Sequence, residues 1–336
     1  MKVSICDVSL RDGNHSVKHS INLDQIRNYC AIADKCGLDI VEVGHGNGLA
    51  ASSLQVGFST HSDQEMLSTA RSELKNTKLG VHVIPGFAKI DDIAKGVDAG
   101  VDVFRIATHC SEADLGEKYI SYLKNRNKEV YGVLMMSHLA DPKKLLEQTI
   151  KLESYGAEAV ILMDSAGAYL PEDVAGKIGI ITQKLSIPVG FHAHNNLGLA
   201  IANSLTAIQN GATIIDGTIL GFGAGAGNAQ LEVLVAVLEK MNYQLMTNSN
   251  TLIDLAEKAL NFLVSSPCAI RPINLLTGIN GLFGGFENPI LQAAKNYDID
   301  KKILMKILGQ RRVIAGQEDI IIEVSKKLQV LKTGVI

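Results

Sequence analysis

VYGVLMMSH (130–138), PKKLLEQTIKLESYG (142–156) and AVILMDS (159–165) follow one another with almost no spare chain between them. The two outer runs are nearly continuous in Val, Leu, Ile and Met, as strands covered on both faces are. The middle run sets Leu145, Leu146, Thr149, Ile150 and Leu152 on one side at helical spacing, opens on Pro142 and stops at Gly156. Strand, helix, strand in that order is a parallel βαβ unit.

The same unit repeats in both directions. Strand-like runs stand at KVSICDV (2–8), DIVEVGH (39–45), LGVHVIP (79–85), VDVFRIAT (101–108), PVGFHAH (188–194) and TIIDGTIL (213–220). Amphipathic stretches lie between them. In DQIRNYCAIADKCG (24–37), Ile26, Tyr29, Cys30 and Ala33 fall on one helical face. Eight units within about 250 residues predict a (β/α)8 TIM barrel. A doubly wound open sheet rarely needs eight, and the first β–α turn, LRDGNHSVK, lacks a glycine-rich pyrophosphate loop. After residue 262 the pattern changes. The stretch 265–286, with two prolines and several glycines, reads as a loop-rich crossing, and helix-like runs follow at PILQAAKNY, DKKILMKIL and EDIIIEVSKKLQVLK. The expected division is a barrel over 1–262 and a small helical C-terminal domain over 263–336.

Composition narrows the function. The 336 residues carry a formal charge of −3, with 46% hydrophobic and 20% charged side chains and no Trp. No basic stripe or aromatic platform for nucleic acid is present, and no window nears 18 uninterrupted apolar residues. Five cysteines without a CxxC pair suit a reducing compartment, so a cytoplasmic protein is expected.

In a barrel the chemistry gathers at the carboxyl ends of the strands. There the sequence places Arg11, Asp12, Asn14 and His15 after strand one, Glu42 and His45 at strand two, and Arg105, Thr108 and His109 at strand four. Ser137 and His138 end strand five, Asp164 and Ser165 strand six, and His192, His194 and Asn195 strand seven. In FHAHNN (191–196) the two histidines are two residues apart, so both point into the mouth. With one carboxylate, from Asp12, Asp164 or Glu42, they make a facial triad for a divalent metal. The plainer reading is two imidazoles bonded to neighbouring loops. RDGNHS (11–16) offers a guanidinium suited to an enolate or carboxylate and an imidazole suited to proton transfer, or else a polar loop with an Asx-turn at Asp12. GFGAGAGN (221–228) matches neither GxGxxG nor a P-loop, and tight backbone packing against the mouth is its expected role. No lysine stands inside the strand segments where a Schiff-base aldolase needs one, and no GxSxG elbow occurs. Carbonyl chemistry here therefore calls for a metal as electrophile.

The segments SLRDGNHSVKH, EVGHGNGLAASSLQVGF, THCSEAD, YGAEAVILMDSAGAYLP, GFHAHNNLGLAIANSLTAIQNGATIIDGTILGFGAGAGNAQLEV and AGQEDIIIEV resemble the 4-hydroxy-2-oxovalerate aldolases. These are metal-dependent pyruvate aldolases of aromatic meta-cleavage pathways, in the superfamily of hydroxymethylglutaryl-CoA lyase and isopropylmalate synthase. The resemblance covers nearly the whole chain. It implies a class II aldolase cleaving 4-hydroxy-2-oxopentanoate, or a related 4-hydroxy-2-oxoacid, to pyruvate and an aldehyde. It further implies a divalent metal, usually manganese, on Asp12, His192 and His194, with no organic cofactor. His15 would act as acid/base on the 4-hydroxyl, Arg11 would stabilise the enolate, and Ser165 and His192 would help seat the substrate. An acylating acetaldehyde dehydrogenase would associate through the C-terminal domain, which could also cover the active site. Two departures stand out: Phe283 in GLFGGFENP occupies the place of a family tyrosine that reaches into the site, and FHAHNN replaces FHGHHN. The rival readings are a Claisen-type acyl-CoA/2-oxoacid transferase and a catalytically reduced partner subunit of a dehydrogenase.

Overall fold

The computed structural model describes residues 2–333. Eight parallel strands close into a ring in chain order, the last paired with the first. They are β1 (Ser4–Asp7), β2 (Ile40–Glu42), β3 (Lys78–Val83), β4 (Val103–His109), β5 (Glu129–Met135), β6 (Ala159–Asp164), β7 (Val189–Ala193) and β8 (Ile214–Gly217). The expected TIM barrel is present. Its outer helices are α1 (Leu23–Ala33), α2 (Asp63–Glu73), α3 (Ile90–Asp98), α4 (Glu117–Lys124), α5 (Pro142–Ser154), α6 (Pro171–Thr182), α7 (Ala200–Gln209) and α8 (Leu231–Lys240). Then come α9 (Ser249–Phe262), α10 (Pro272–Asn280), α11 (Glu287–Asn296), α12 (Lys301–Gln310) and α13 (Glu318–Thr333).

Local chemistry sets the elements. Asn22 and Gln25 form a reciprocal capping box at α1, which buries Ile26, Tyr29, Cys30 and Ala33, the face read from the sequence. Asp141 caps α5 and Pro142 opens it. On α5 the expected face is corrected at its edge: Leu145, Thr149 and Leu152 are buried as expected. Ile150 is exposed, and Gln148 is buried because its Oε1 accepts the Ala113 N–H at 2.9 Å.

Alternation along the strands separates two cores. On β4, Phe104 and Ile106 face outward into the large core under the helices, while Val103 and Ala107 join Cys6, Val133, Ile161 and Ile214 inside the ring. Arg105 lies between Val103 and Ala107 on the inner face, opposite His82 of β3. A third cluster, around Leu282, Phe286, Ile290, Leu304, Met305 and Ile321, belongs to α10–α13.

The stretch 265–286 is not only a crossing. Pro272 stands in the first turn of α10 and Gly281 ends it in the left-handed region, so these residues punctuate a helix. That helix is fastened across the carboxyl end of the ring. Asn196 Nδ2 donates to Asn274 O (3.1 Å) and Thr277 Oγ1 (2.8 Å), and His138 Nε2 donates to Gly281 O at 3.0 Å. Among the described residues no helix is long and apolar enough to cross a membrane.

Candidate active site

Asp12 lies in the short 3-10 turn Asp12–His15 that follows β1. Its Oδ2 accepts Asn228 Nδ2 at 2.6 Å and the Ala224 N–H at 3.0 Å, and its Oδ1 accepts Arg11 Nη1 at 2.6 Å. From Arg11 a chain of alternating charge crosses the barrel. Arg11 Nε donates to Glu42 Oε1 (2.5 Å), and Arg105 Nη1 donates to Glu42 Oε2 (3.0 Å). Arg105 Nη2 donates to Asp216 Oδ2 (2.5 Å), which also accepts His192 Nδ1 at 3.0 Å. None of these six side chains is more than 4% exposed. Three carboxylates against two guanidiniums leave one negative charge in excess, which favours a cation.

The ligand-capable atoms of Asp12, His192 and His194 lie within 4.8 Å of one another. Because Asp216 takes Nδ1–H of His192, the other nitrogen presents its lone pair, and that buried Nε2 has no hydrogen-bond partner. An orphaned imidazole nitrogen aimed beside a carboxylate and a second imidazole is the donor set of a two-histidine, one-carboxylate cation site. Protonation states agree. Burial opposes the charge of Asp12, yet the Arg11 guanidinium beside it holds its carboxyl well below the ordinary range. Burial brings His194 down to about 4, leaving it neutral and able to ligate. Of the three sequence candidates for the carboxylate, Asp12 is the one grouped with both imidazoles; Glu42 lies between two arginines, and Asp164 accepts the Ala168 and Tyr169 N–H groups.

His15 closes the same turn, and its ring fills the space over Gly46, where a Cβ would lie 2.6 Å from three ring atoms. Ser165 stands farther round the ring, its Oγ accepting the Met136 N–H at 2.9 Å. Phe283 sits with the third cluster, edge-on to Phe286 at 5.7 Å.

Three comparisons bear on this arrangement. The HMGL-like family profile matches residues 2–258, and the profile of the DmpG-like communication domain matches 268–330. A 4-hydroxy-2-oxovalerate aldolase of Spirochaeta aurantia is 51% identical over 97% of this chain and 96% of its own. One of Pectobacterium atrosepticum is 47% identical over the same shares. The chain belongs to this aldolase family. It is a carbon–carbon lyase. Among solved structures, the N-terminal domain of a putative aldolase from Bacteroides vulgatus superposes with a TM-score of 0.74, covering 88% of this chain and 98% of that one. At 24% identity it bears on the fold alone.

Asp216 and Asn228 escaped the sequence reading. Asp216 left a usable signal, an acidic residue inside the apolar run TIIDGTIL and, by alternation, on the inner face. The glycine-rich segment after β8 does more than pack: it carries Ala224 and Asn228 to Asp12. A Cβ on Gly223 would stand 2.6 Å from Asp12 Oδ2 and 2.2 Å from Asn228 Nδ2. Gly223→Ala is therefore expected to turn the Asp12 carboxylate and weaken cation binding roughly 10- to 100-fold, with little change in Tm. Calorimetric Mn²⁺ titration checks this, and wild-type affinity would show that the carboxylate does not depend on this wall.

Proposed function

We propose that this chain cleaves 4-hydroxy-2-oxopentanoate, or a closely related 4-hydroxy-2-oxoacid, to pyruvate and an aldehyde, with a divalent cation held by Asp12, His192 and His194. The observation that carries the reading is the buried His192 nitrogen left without a partner beside Asp12 and His194, in a pocket of excess negative charge. Mn²⁺ is the cation that the resemblance favours. When bound it supplies Lewis-acid polarisation of the 2-oxo group.

The chain's own residues do the rest. Burial lowers the proton affinity of His15, so at neutral pH it is a free base. It takes the 4-hydroxyl proton, the C3–C4 bond breaks to give the aldehyde, and the electron pair moves into the pyruvate enolate. Arg11 has one buried nitrogen, Nη2, without a protein partner, and this donates to the developing enolate oxygen. Protonation at C3 then releases pyruvate. Ser165 and His192 border the bound 2-oxoacid. The barrel over 1–262 performs the chemistry. The C-terminal part over 263–336, of which residues 268–330 match a communication domain and 273–328 hold a core of their own, docks an acylating acetaldehyde dehydrogenase that consumes the aldehyde. Such a pair belongs to cytoplasmic breakdown of aromatic hydrocarbons.

The test is pyruvate released from 4-hydroxy-2-oxopentanoate after chelator treatment, with and without Mn²⁺. Cation-dependent release is expected. Cation bound without release from this substrate or its longer homologues overturns the reading. His15→Ala should keep the cation and lose about 10²–10⁴ in kcat. Unchanged turnover would remove His15 from the mechanism.

A further inference from the structure

The connection from β2 to α2, residues 43–62, is long and has almost no regular structure of its own. Two imidazoles fasten it. The His45 Nδ1 accepts the Asn47 N–H at 3.0 Å, and its Nε2 bonds the Gly57 carbonyl at 3.1 Å. His19 reaches over from the β1 loop, its Nδ1 accepting the Gly46 N–H at 3.3 Å and its Nε2 bonding the Val56 carbonyl at 3.1 Å. The partners fix both tautomers: each Nδ1 faces a donor, so each Nε2 carries the hydrogen. The rings stack at 3.6 Å and 19°, an arrangement that suits neutral imidazoles, and burial brings His19 to about 3 and His45 to about 4.

The stack also borders the residue read as the acid/base. The His19 ring meets His15 edge-on, with centroids 5.2 Å apart at 70°. Gly46, the peptide that His19 holds, forms the other wall, since a Cβ there would strike the His15 ring. His19 holds this place in the left-handed region, as does Lys18 before it, at φ of 61° and 53°. That conformation is unfavourable for both residues and is kept by backbone bonds from His19 N to Asn14 O and from Thr60 N to His19 O. Four satisfied polar contacts specify one geometry where apolar packing would allow several.

We infer that His19 and His45 are positioning residues for His15: the stacked pair clamps the 43–62 connection so that Gly46 and the His19 edge confine the His15 ring beside Arg11 and Asp12. The inference rests on the acid/base reading of His15.

His19→Phe keeps the stack and removes both bonds. Its kcat should fall roughly 10- to 100-fold, with KM within about twofold, because Arg11 and the cation ligands are untouched. His19→Asn, whose Oδ1 stands where Nδ1 stood, should recover most of the rate. Exchange of the pyruvate C3 hydrogens with solvent, which does not use the 4-hydroxyl, should persist in both variants. In a His15→Ala background, His19→Phe should cost less than about twofold more. If losses multiply in the double variant, or exchange falls together with turnover, or Asn is no better than Phe, the positioning role is overturned while the acid/base role stands. If His15→Ala alone leaves turnover unchanged, it is the acid/base reading that fails.

Discussion

His192→Ala is expected to release the divalent cation and to lower pyruvate release by about 10³-fold or more. The substitution takes away one of the three ligand-capable groups and leaves Asp12 and His194, too few to hold a cation against water. It also deprives Asp216 of its imidazole donor, so the carboxylate keeps only Arg105. A graded companion follows from the same contact. Asp216→Asn leaves all three groups in place but weakens the hold on the His192 tautomer, and should cost about 10- to 100-fold in Mn²⁺ affinity. Metal content after dialysis and calorimetric titration distinguish the two. Mn²⁺ retained at wild-type affinity by His192→Ala would exclude His192 as a ligand.

The difference between these variants marks how far the sequence reading reached. Period-two alternation was enough to send His192 and His194 the same way, because His192 is in β7 and His194 continues its extended backbone one residue past the strand's end. The eight strands were legible for a similar reason: each buries both faces and reads as an apolar run. Asp216 and Arg105 are 111 positions apart, and only closure of the ring brings them together. The choice of Asp12 over Glu42 and Asp164 likewise depends on which carboxylate the fold brings beside both imidazoles, which is a three-dimensional fact. The α10 helix was misread because proline and glycine suggested a loop, whereas their order, proline first and glycine last, is that of helix caps. Nothing local marks Lys18 and His19 for left-handed backbone, since neither residue type favours it as strongly as glycine does.

Arg105→Leu is expected to destabilise the folded chain by about 3–5 kcal/mol at neutral pH, more than loss of any one cation ligand. Arg105 has no exposed surface and bridges Glu42 and Asp216. Without it, two carboxylates remain inside the barrel with only Arg11 as counter-charge. Burial works against ionised Glu42, yet Arg105 and Arg11 together bring its carboxyl down from 4.5 to about 2, and Asp216 is also lowered despite burial, chiefly by Arg105. The sign follows by linkage. Groups whose folded pKa is depressed add stability that is complete above their unfolded values and is lost as pH falls through the folded ones. In Arg105→Leu both carboxyls should ionise less readily, so the stability gap should be widest near pH 7 and narrow as acid protonates them in the variant while the parent's Glu42 keeps its charge down to about 2. Urea unfolding at pH 7 and pH 4 reads this directly. A gap of equal size at both pH values would mean that Arg105 matters for the volume it fills and not for its charge.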